Sequence, residues 1–241
     1  MPQERTEAIV LRGVDFSETS RVVTFLSPHR GRMACLAAGA KRAKAGMAAS
    51  LDTFNRVELV YYWKDSRTMQ KLGEVALIDG YPGIKNDLAK AVYGALPLEL
   101  AYKIAHENEP SPPLYATMVT GLESFAKWSA GPDVHATWQG LQLLSAAGFA
   151  PALDHCARCG RKVDTPTGFA FDGGATCSNC PTDRRLTPTG FAALLALSGS
   201  REFCPPLEQT GDIFELFCGF AARQLDSDLR SVRVIRQIYG Q

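Results

Sequence analysis

Net charge is almost missing from this chain. It has 26 Lys and Arg against 25 Asp and Glu in 241 residues, a balance of +1. A uniformly basic, histone-like coat is thereby excluded, although segregation of charge along the chain is not. Long apolar runs are lacking too. Residues 1–5 lead into no apolar stretch of signal-peptide length, so no export signal is expected. Val134 to Leu153 carries no Asp, Glu, Lys or Arg. Its His135, Gln139, Gly140, Gln142, Gly148 and Pro151 are ill suited to a bilayer span and fit a buried helix followed by a turn.

Catalytic signatures are also absent. There is no G-x-x-x-x-G-K-[ST], G-x-G-x-x-G, H-E-x-x-H or G-x-S-x-G. The four histidines, at 29, 106, 135 and 155, are scattered, and none pairs with another one helical turn away. The sequence gives no positive case for an enzyme. Disorder of the chain as a whole is excluded as well, because 46% apolar and 21% charged residues are globular proportions. A chain of this length has room for one or two domains with a sizeable core.

What is present divides by period. Ala8–Leu11, Arg21–Leu26, Met33–Ala38, Val57–Tyr61 and Leu72–Ile78 read as short strands separated by turn signals. Five strands in about 80 residues suit a small barrel, either a five-stranded OB-type Greek key or an SH3-like barrel. After Tyr81-Pro82-Gly83 the period lengthens. Leu88, Val92, Leu96, Leu100 and Ile104 recur every four residues as one helical stripe, with Pro97 predicting a kink or break inside it. Further helices are predicted around Leu114–Phe125, Trp138–Leu144, Thr187–Leu197, Asp212–Leu225 and Ser227–Ile238, with Pro205-Pro206 as a separator. The expected fold class is α+β: a barrel over residues 1–80, then an all-α domain over 81–241 with a four-cysteine module embedded at 154–182.

That module is the most specific signal in the chain. Cys156, Cys159, Cys177 and Cys180 form C-x2-C-x17-C-x2-C. A two-residue gap lets both thiolates of a pair face one ion, and two such knuckles complete a tetrahedron about 2.3 Å from Zn²⁺. Four thiolates leave no open position, so the expected cofactor is one structural Zn²⁺ rather than a catalytic ion. An iron site of the rubredoxin type uses similar knuckles, and His155 is an adjacent alternative ligand. Cys35, Cys204 and Cys218 lie in apolar surroundings and read as packing residues. Seven cysteines with no export signal point to a reducing compartment, which predicts a cytoplasmic protein.

Charge is segregated after all. Residues 1–80 carry 12 Lys and Arg against 9 Asp and Glu, a local +3, and no carboxylate occurs between Glu18 and Asp52. Arg21, Arg30, Arg32, Lys41, Arg42, Lys44, Lys64, Arg67 and Lys71 are the candidate nucleic-acid contacts. Phe54, Tyr61, Tyr62 and Trp63 are either stacking platforms or barrel core. Arg230, Arg233 and Arg236 form a weaker basic stripe, read with Asp226 and Asp228 as a solvated helix face.

Several of these strings resemble one family. Glu7–Arg12, Glu18–Thr24, Gly31-Arg32-Met33, Ala38–Arg42 and Leu51–Phe54, followed by Leu98-Glu99-Leu100, the CxxC pairs and Leu229–Arg233, are similar to the bacterial recombination mediator family RecO. The resemblance spans nearly the whole chain. It implies an N-terminal OB fold, a helical C-terminal domain and a zinc module that some members lack. It further implies activity without turnover: binding single- and double-stranded DNA, annealing complementary strands, and helping RecA load onto strands coated with single-strand-binding protein. RecR and the C-terminal tail of the single-strand-binding protein are the implied partners, with RecA engaged indirectly and no membrane involved. Two other readings remain at this level. NAD-dependent DNA ligases also join an OB fold to a four-cysteine site, but their K-x-D-G motif is matched only by Lys162-Val163-Asp164-Thr165, without the Gly. An adaptor that acts through protein contacts alone is the other.

Overall fold

In a computed structural model, residues 2–41, 47–128, 131–203 and 211–240 are described. Five strands come first, and all but the third, Gly31–Ala37, contain β-branched or aromatic residues. They are β1 (Gln3–Asp15), β2 (Arg21–Ser27), β3 (Gly31–Ala37), β4 (Arg56–Tyr62) and β5 (Met69–Asp79), with a single helical turn, α1 (Met47–Ser50), before β4. Inward positions alternate along β3 and through part of β2 and β4. Val23 and Phe25 of β2, Met33 and Cys35 of β3, and Val57, Leu59 and Tyr61 of β4 are all buried. Phe54 and Trp63, at 7% exposure each, and Tyr61, at 1%, are buried residues and not stacking platforms. Burial pushes the Cys35 thiol up to about 12, which leaves it an inert core residue.

The strands close into a barrel in the order β1-β2-β3-β5-β4. β1, β2 and β3 are an antiparallel meander. β4 returns to pair with the first half of β1, from Gln3↔Tyr62 to Ile9↔Arg56. β5 pairs antiparallel with β4 and parallel with β3, through Ala34↔Met69, Cys35↔Gln70 and Leu36↔Lys71. A meander-only SH3-like barrel has no such parallel seam, so the topology is the OB-type Greek key.

Helices follow: α2 (Pro82–Lys85), α3 (Leu88–Ile104), α4 (Pro112–Lys127), α5 (Pro132–Ala146), α6 (Pro188–Gly199), α7 (Gly211–Gln224) and α8 (Arg230–Tyr239). Pro97 does not break α3, which runs unbroken from Leu88 to Ile104. Leu96, Leu98 and Leu100 around it are buried, and their burial outweighs the backbone hydrogen bond that proline removes. The predicted four-residue stripe holds at Leu96 and Leu100 and fails at its start. Leu88 is 70% exposed, whereas Tyr93 and Leu98, off the stripe, are buried. Pro205-Pro206 and Cys204 lie outside the described residues.

The chain divides into two compact units. One comprises residues 1–86 and 101–126, the other 87–100 and 127–241. Within the first, α4 docks on the barrel through polar contacts. Arg56 donates to Glu7 at 2.7 Å and to Glu123 at 3.3 Å, and the Tyr115 hydroxyl donates to Glu7 at 3.1 Å. Within the second, Trp138, Leu141, Leu144, Phe214 and Phe217 form the core. Thr187 caps α6 by accepting from the Gly190 amide at 3.0 Å. Glu99 caps α8 from a distance: the Arg230 and Ser231 amides and the Ser231 hydroxyl donate to its carboxylate at 3.0, 2.8 and 2.7 Å. Ser227–Leu229 is not helical, so α8 begins three residues later than its periodicity predicts. No helix among the described residues is long and apolar enough to cross a membrane.

Candidate metal centre and nucleic-acid interface

The second unit is not purely helical. Between α5 and α6 lies a small sheet in the order β7-β6-β8, built from β6 (Gly168–Ala170), β7 (Gly174–Thr176) and β8 (Arg184–Arg185). It holds the two cysteine knuckles together. Ala152 donates to the Gly173 carbonyl at 2.9 Å and accepts from the Ala175 amide at 2.8 Å. A Cβ on Gly174, whose φ is +137°, would meet the Ala152 carbonyl oxygen at 2.2 Å, so only glycine permits this approach. In the first knuckle Gly160, at φ +72°, returns its amide to the Cys156 carbonyl at 2.9 Å.

The ligand atoms of Cys156, Cys159, Cys177 and Cys180 all lie within 4.8 Å of one another. Four thiolates about 2.3 Å from a tetrahedral ion would lie about 3.8 Å apart, and the Cys159 and Cys177 sulfurs are separated by 3.8 Å. The residues therefore fit a metal ion. His155 is turned to Asp154, 2.9 Å from its Nδ1, and is not part of the cluster. The thiols are electrostatically divided. The Cys177 amide, donating to Sγ at 3.4 Å, is the main cause that brings Cys156 down to about 6. The Cys177 thiol contact pushes Cys180 up to about 12. Like charges at this spacing do not all form unaided, and a divalent cation removes that conflict. No position would remain open for water, so the chemistry such an ion supplies is cross-linking.

The predicted DNA contacts fall into three groups. Arg30 and Arg32 are engaged inside their unit. Arg30 grips Glu4 at 2.7 and 3.2 Å and stacks 3.9 Å over the Trp63 ring, and Glu4 also accepts from the Tyr61 hydroxyl at 2.7 Å. Arg32 donates to the Tyr102 carbonyl at 2.6 Å and to Glu107 at 3.3 Å. Arg21 and Lys41 share one carboxylate, Asp15, at 3.5 and 2.8 Å. The Lys41 ammonium holds Asp15 below the usual carboxylate range. Lys64, Arg67 and Lys71 are exposed on and beside the β4–β5 hairpin and have no carboxylate partner among the described residues. Lys71 lies 5.8 Å from the half-buried Tyr62 ring. Arg67, Lys71, Leu36 and Met69 line a shallow groove there. Arg42 and Lys44 lie outside the described residues. In α8, Arg233 pairs with Asp228 and Arg236 with Glu215, as expected of a solvated face.

Sequence reasoning missed Arg12 and Phe16. Both are exposed at the end of the barrel that carries Asp15, and Phe16 is 62% exposed. Neither lies in a run of like residues, so only the structure distinguishes them.

Comparison with known proteins gives this architecture a family. Residues 1–81 match the model described as recombination protein O N terminal, and residues 85–233 match recombination protein O C terminal. The chain is 31% identical over 202 residues to the DNA repair protein RecO of Anaeromyxobacter dehalogenans, covering 82% of this chain and 78% of that one. It is 29% identical over 238 residues to DNA repair protein RecO of Myxococcus xanthus, covering 96% of each. The RecO protein of Exiguobacterium sibiricum is 34% identical over 175 residues, 72% of this chain and 69% of its own. This is a family of recombination mediators acting in DNA repair, not of catalysts. With both of its parts matched in order, the chain belongs to the recombination protein O (RecO) family.

Proposed function

We propose that this chain binds single- and double-stranded DNA through its barrel, anneals complementary strands, and assists the loading of RecA onto strands coated with single-strand-binding protein, in the RecF pathway. The observation that carries this reading is the exposed Lys64, Arg67 and Lys71 on the barrel of a chain that matches the family over residues 1–81 and 85–233. These three cations are the principal phosphate contacts. Arg21 and Lys41 contribute one net charge beside Asp15, and Arg42 and Lys44 follow Lys41 in the sequence and add two further cations. Arg30 and Arg32 add to the local potential while they hold the barrel in shape. Residues 1–80 are the nucleic-acid-binding domain, and residues 81–241, with the module at 154–182, carry protein contacts.

The metal is one structural Zn²⁺ held by Cys156, Cys159, Cys177 and Cys180, the all-sulfur tetrahedral set that zinc favours in structural sites. RecR and the C-terminal tail of the single-strand-binding protein are the partners, RecA is reached indirectly, and the setting is the cytoplasmic nucleoid. Annealing of complementary oligonucleotides precoated with single-strand-binding protein tests the reading. Acceleration without added nucleotide is the expected result. Absence of acceleration by a folded, metal-loaded protein would leave an adaptor without DNA-handling activity.

A further inference from the structure

The outer face of the barrel is unusual in composition. An antiparallel sheet with one face on the core normally turns polar side chains to water. Here the residues that alternate with the buried Val23, Phe25, Met33 and Cys35 are mostly apolar. Register aligns Val14, Val22, Leu36 and Lys71 as one rung across β1, β2, β3 and β5. Arg12, Thr24, Ala34 and Met69 form the next rung. Val14 is 45% exposed, and Val22, Leu36, Ala34 and Met69 are half-buried. One rung further on, Arg32 is held by Tyr102 and Glu107, so the open strip is two rungs deep.

Phe16 stands just beyond Val14 on the β1–β2 connection. The tip is tied: the Phe16 and Ser17 amides donate to the Ser20 carbonyl at 3.0 and 3.2 Å, and the Ser20 amide returns to the Ser17 hydroxyl at 3.2 Å. The Lys41 amide fixes the same loop through the Thr19 carbonyl at 3.1 Å. A ring 62% exposed on a hydrogen-bonded tip gains nothing for the fold by being there. The surrounding charge is mixed but favours an anion. Asp15 is neutralised by Lys41 and Arg21, Glu18 is the one remaining acid of the tip, and Arg12, Arg67 and Lys71 rim the strip.

We infer that Phe16 is a base-stacking residue, and that the Val14–Val22–Leu36 strip is the floor on which unpaired nucleobases of a single strand lie. This rests on the proposed DNA binding and specifies its substrate: flat, weakly polar base faces for the strip, and an anionic backbone for the cations at its rim. A duplex hides those faces, so the strip selects single strands, while Lys64, Arg67 and Lys71 serve both forms.

Fluorescence anisotropy of the full chain tests this with a labelled oligothymidine, an abasic strand of equal length and a duplex hairpin. Phe16→Ala should weaken oligothymidine binding about 5- to 150-fold, the range for loss of one stacked base. Abasic and duplex affinities should be unchanged, and so should the salt dependence. Phe16→Trp should restore binding, with its emission quenched by oligothymidine. An unaltered oligothymidine affinity for Phe16→Ala overturns the inference and leaves DNA binding standing. Equal losses on all three ligands also overturn it, since Phe16 would then only shape the loop. A wild-type chain that binds none of the three removes the proposed function as well.

Discussion

Neutralising the β4–β5 hairpin is the most direct perturbation of the barrel's electrostatics. Five positive charges on the described barrel are unspent: Arg12, Lys64, Arg67 and Lys71, plus one net charge from Arg21 and Lys41 around Asp15. At about 0.7 per phosphate contact on a single strand, five contacts give a slope of log affinity against log salt of about −3.5. Replacing Lys64, Arg67 and Lys71 together by Gln leaves two, and the slope should fall to about −1.4. The same arithmetic makes the loss of affinity at 0.1 M salt roughly 100-fold, alike for all sequences. Anisotropy titrations with an oligothymidine from about 50 to 400 mM NaCl read both quantities, since the salt term dominates over this range. Arg30→Met is the contrasting variant. Its guanidinium is bound to Glu4 and lies over Trp63, with 30% of the side chain exposed. Removing it should cost about 2 kcal/mol in urea unfolding, the scale of charge-assisted hydrogen bonds, with the salt slope unchanged. A triple variant that kept the wild-type slope would refute the reasoning, because the phosphate contacts would then lie elsewhere. A shallower slope for Arg30→Met would show its ion pair opening for DNA.

Two further outcomes follow from the second unit. Cys159→Ser, or stripping the ion with a strong chelator, should release about one metal per chain and lower the melting temperature, because metal-binding free energy at such a site is folding free energy; oligothymidine affinity should change little, and an equal loss of both would contradict a purely structural ion. His135 is fully buried beside Trp138 and Phe203, and burial, aided by the Lys90 ammonium, pushes its pKa down to about 3. Unfolded imidazole takes up its proton near pH 6.5, so stability is full above that value and falls as pH drops toward 3, by about 2 kcal/mol at pH 5. His135→Phe should remove this slope in urea titrations between those two pH values, and a variant with the wild-type slope would assign the effect to another group.

The sequence carried different parts of this structure with different clarity. The barrel strands were legible from β-branched runs such as Arg21-Val22-Val23-Thr24-Phe25, and β3, which has none, from the turn that precedes it; the strand order was not, because β3 meets β5 only through residues 34–36 and 69–71. The short strands β6, β7 and β8 carry little propensity of their own, in segments such as Gly-Ala-Thr and Arg-Arg, and form where the knuckles bring them together. The cysteine cluster was readable because its geometry is local within each pair. The state of each cation was not. Arg30 meets Glu4 across 26 residues and Arg32 meets Glu107 across 75, so nothing near them in the chain separates them from Arg67 or Lys71. Phe16 escaped notice for the same reason, since exposure is a property of the assembled sheet.

The short parallel seam between β3 and β5 sets an order of events during synthesis. The β1–β2 and β2–β3 pairings are both available once residue 37 is made, and they can form as local hairpins. The ring cannot shut until residues 69–71 arrive, and the first half of β1 waits for residues 56–62. Pairings this distant along the chain are the slow ones. Until they form, the meander exposes the face that carries Val10, Val23, Phe25, Met33 and Cys35, together with the open edge of β3. The ribosome-bound chain therefore passes through a window in which its stickiest surface is bare, and emergence of β5 is the event that ends it.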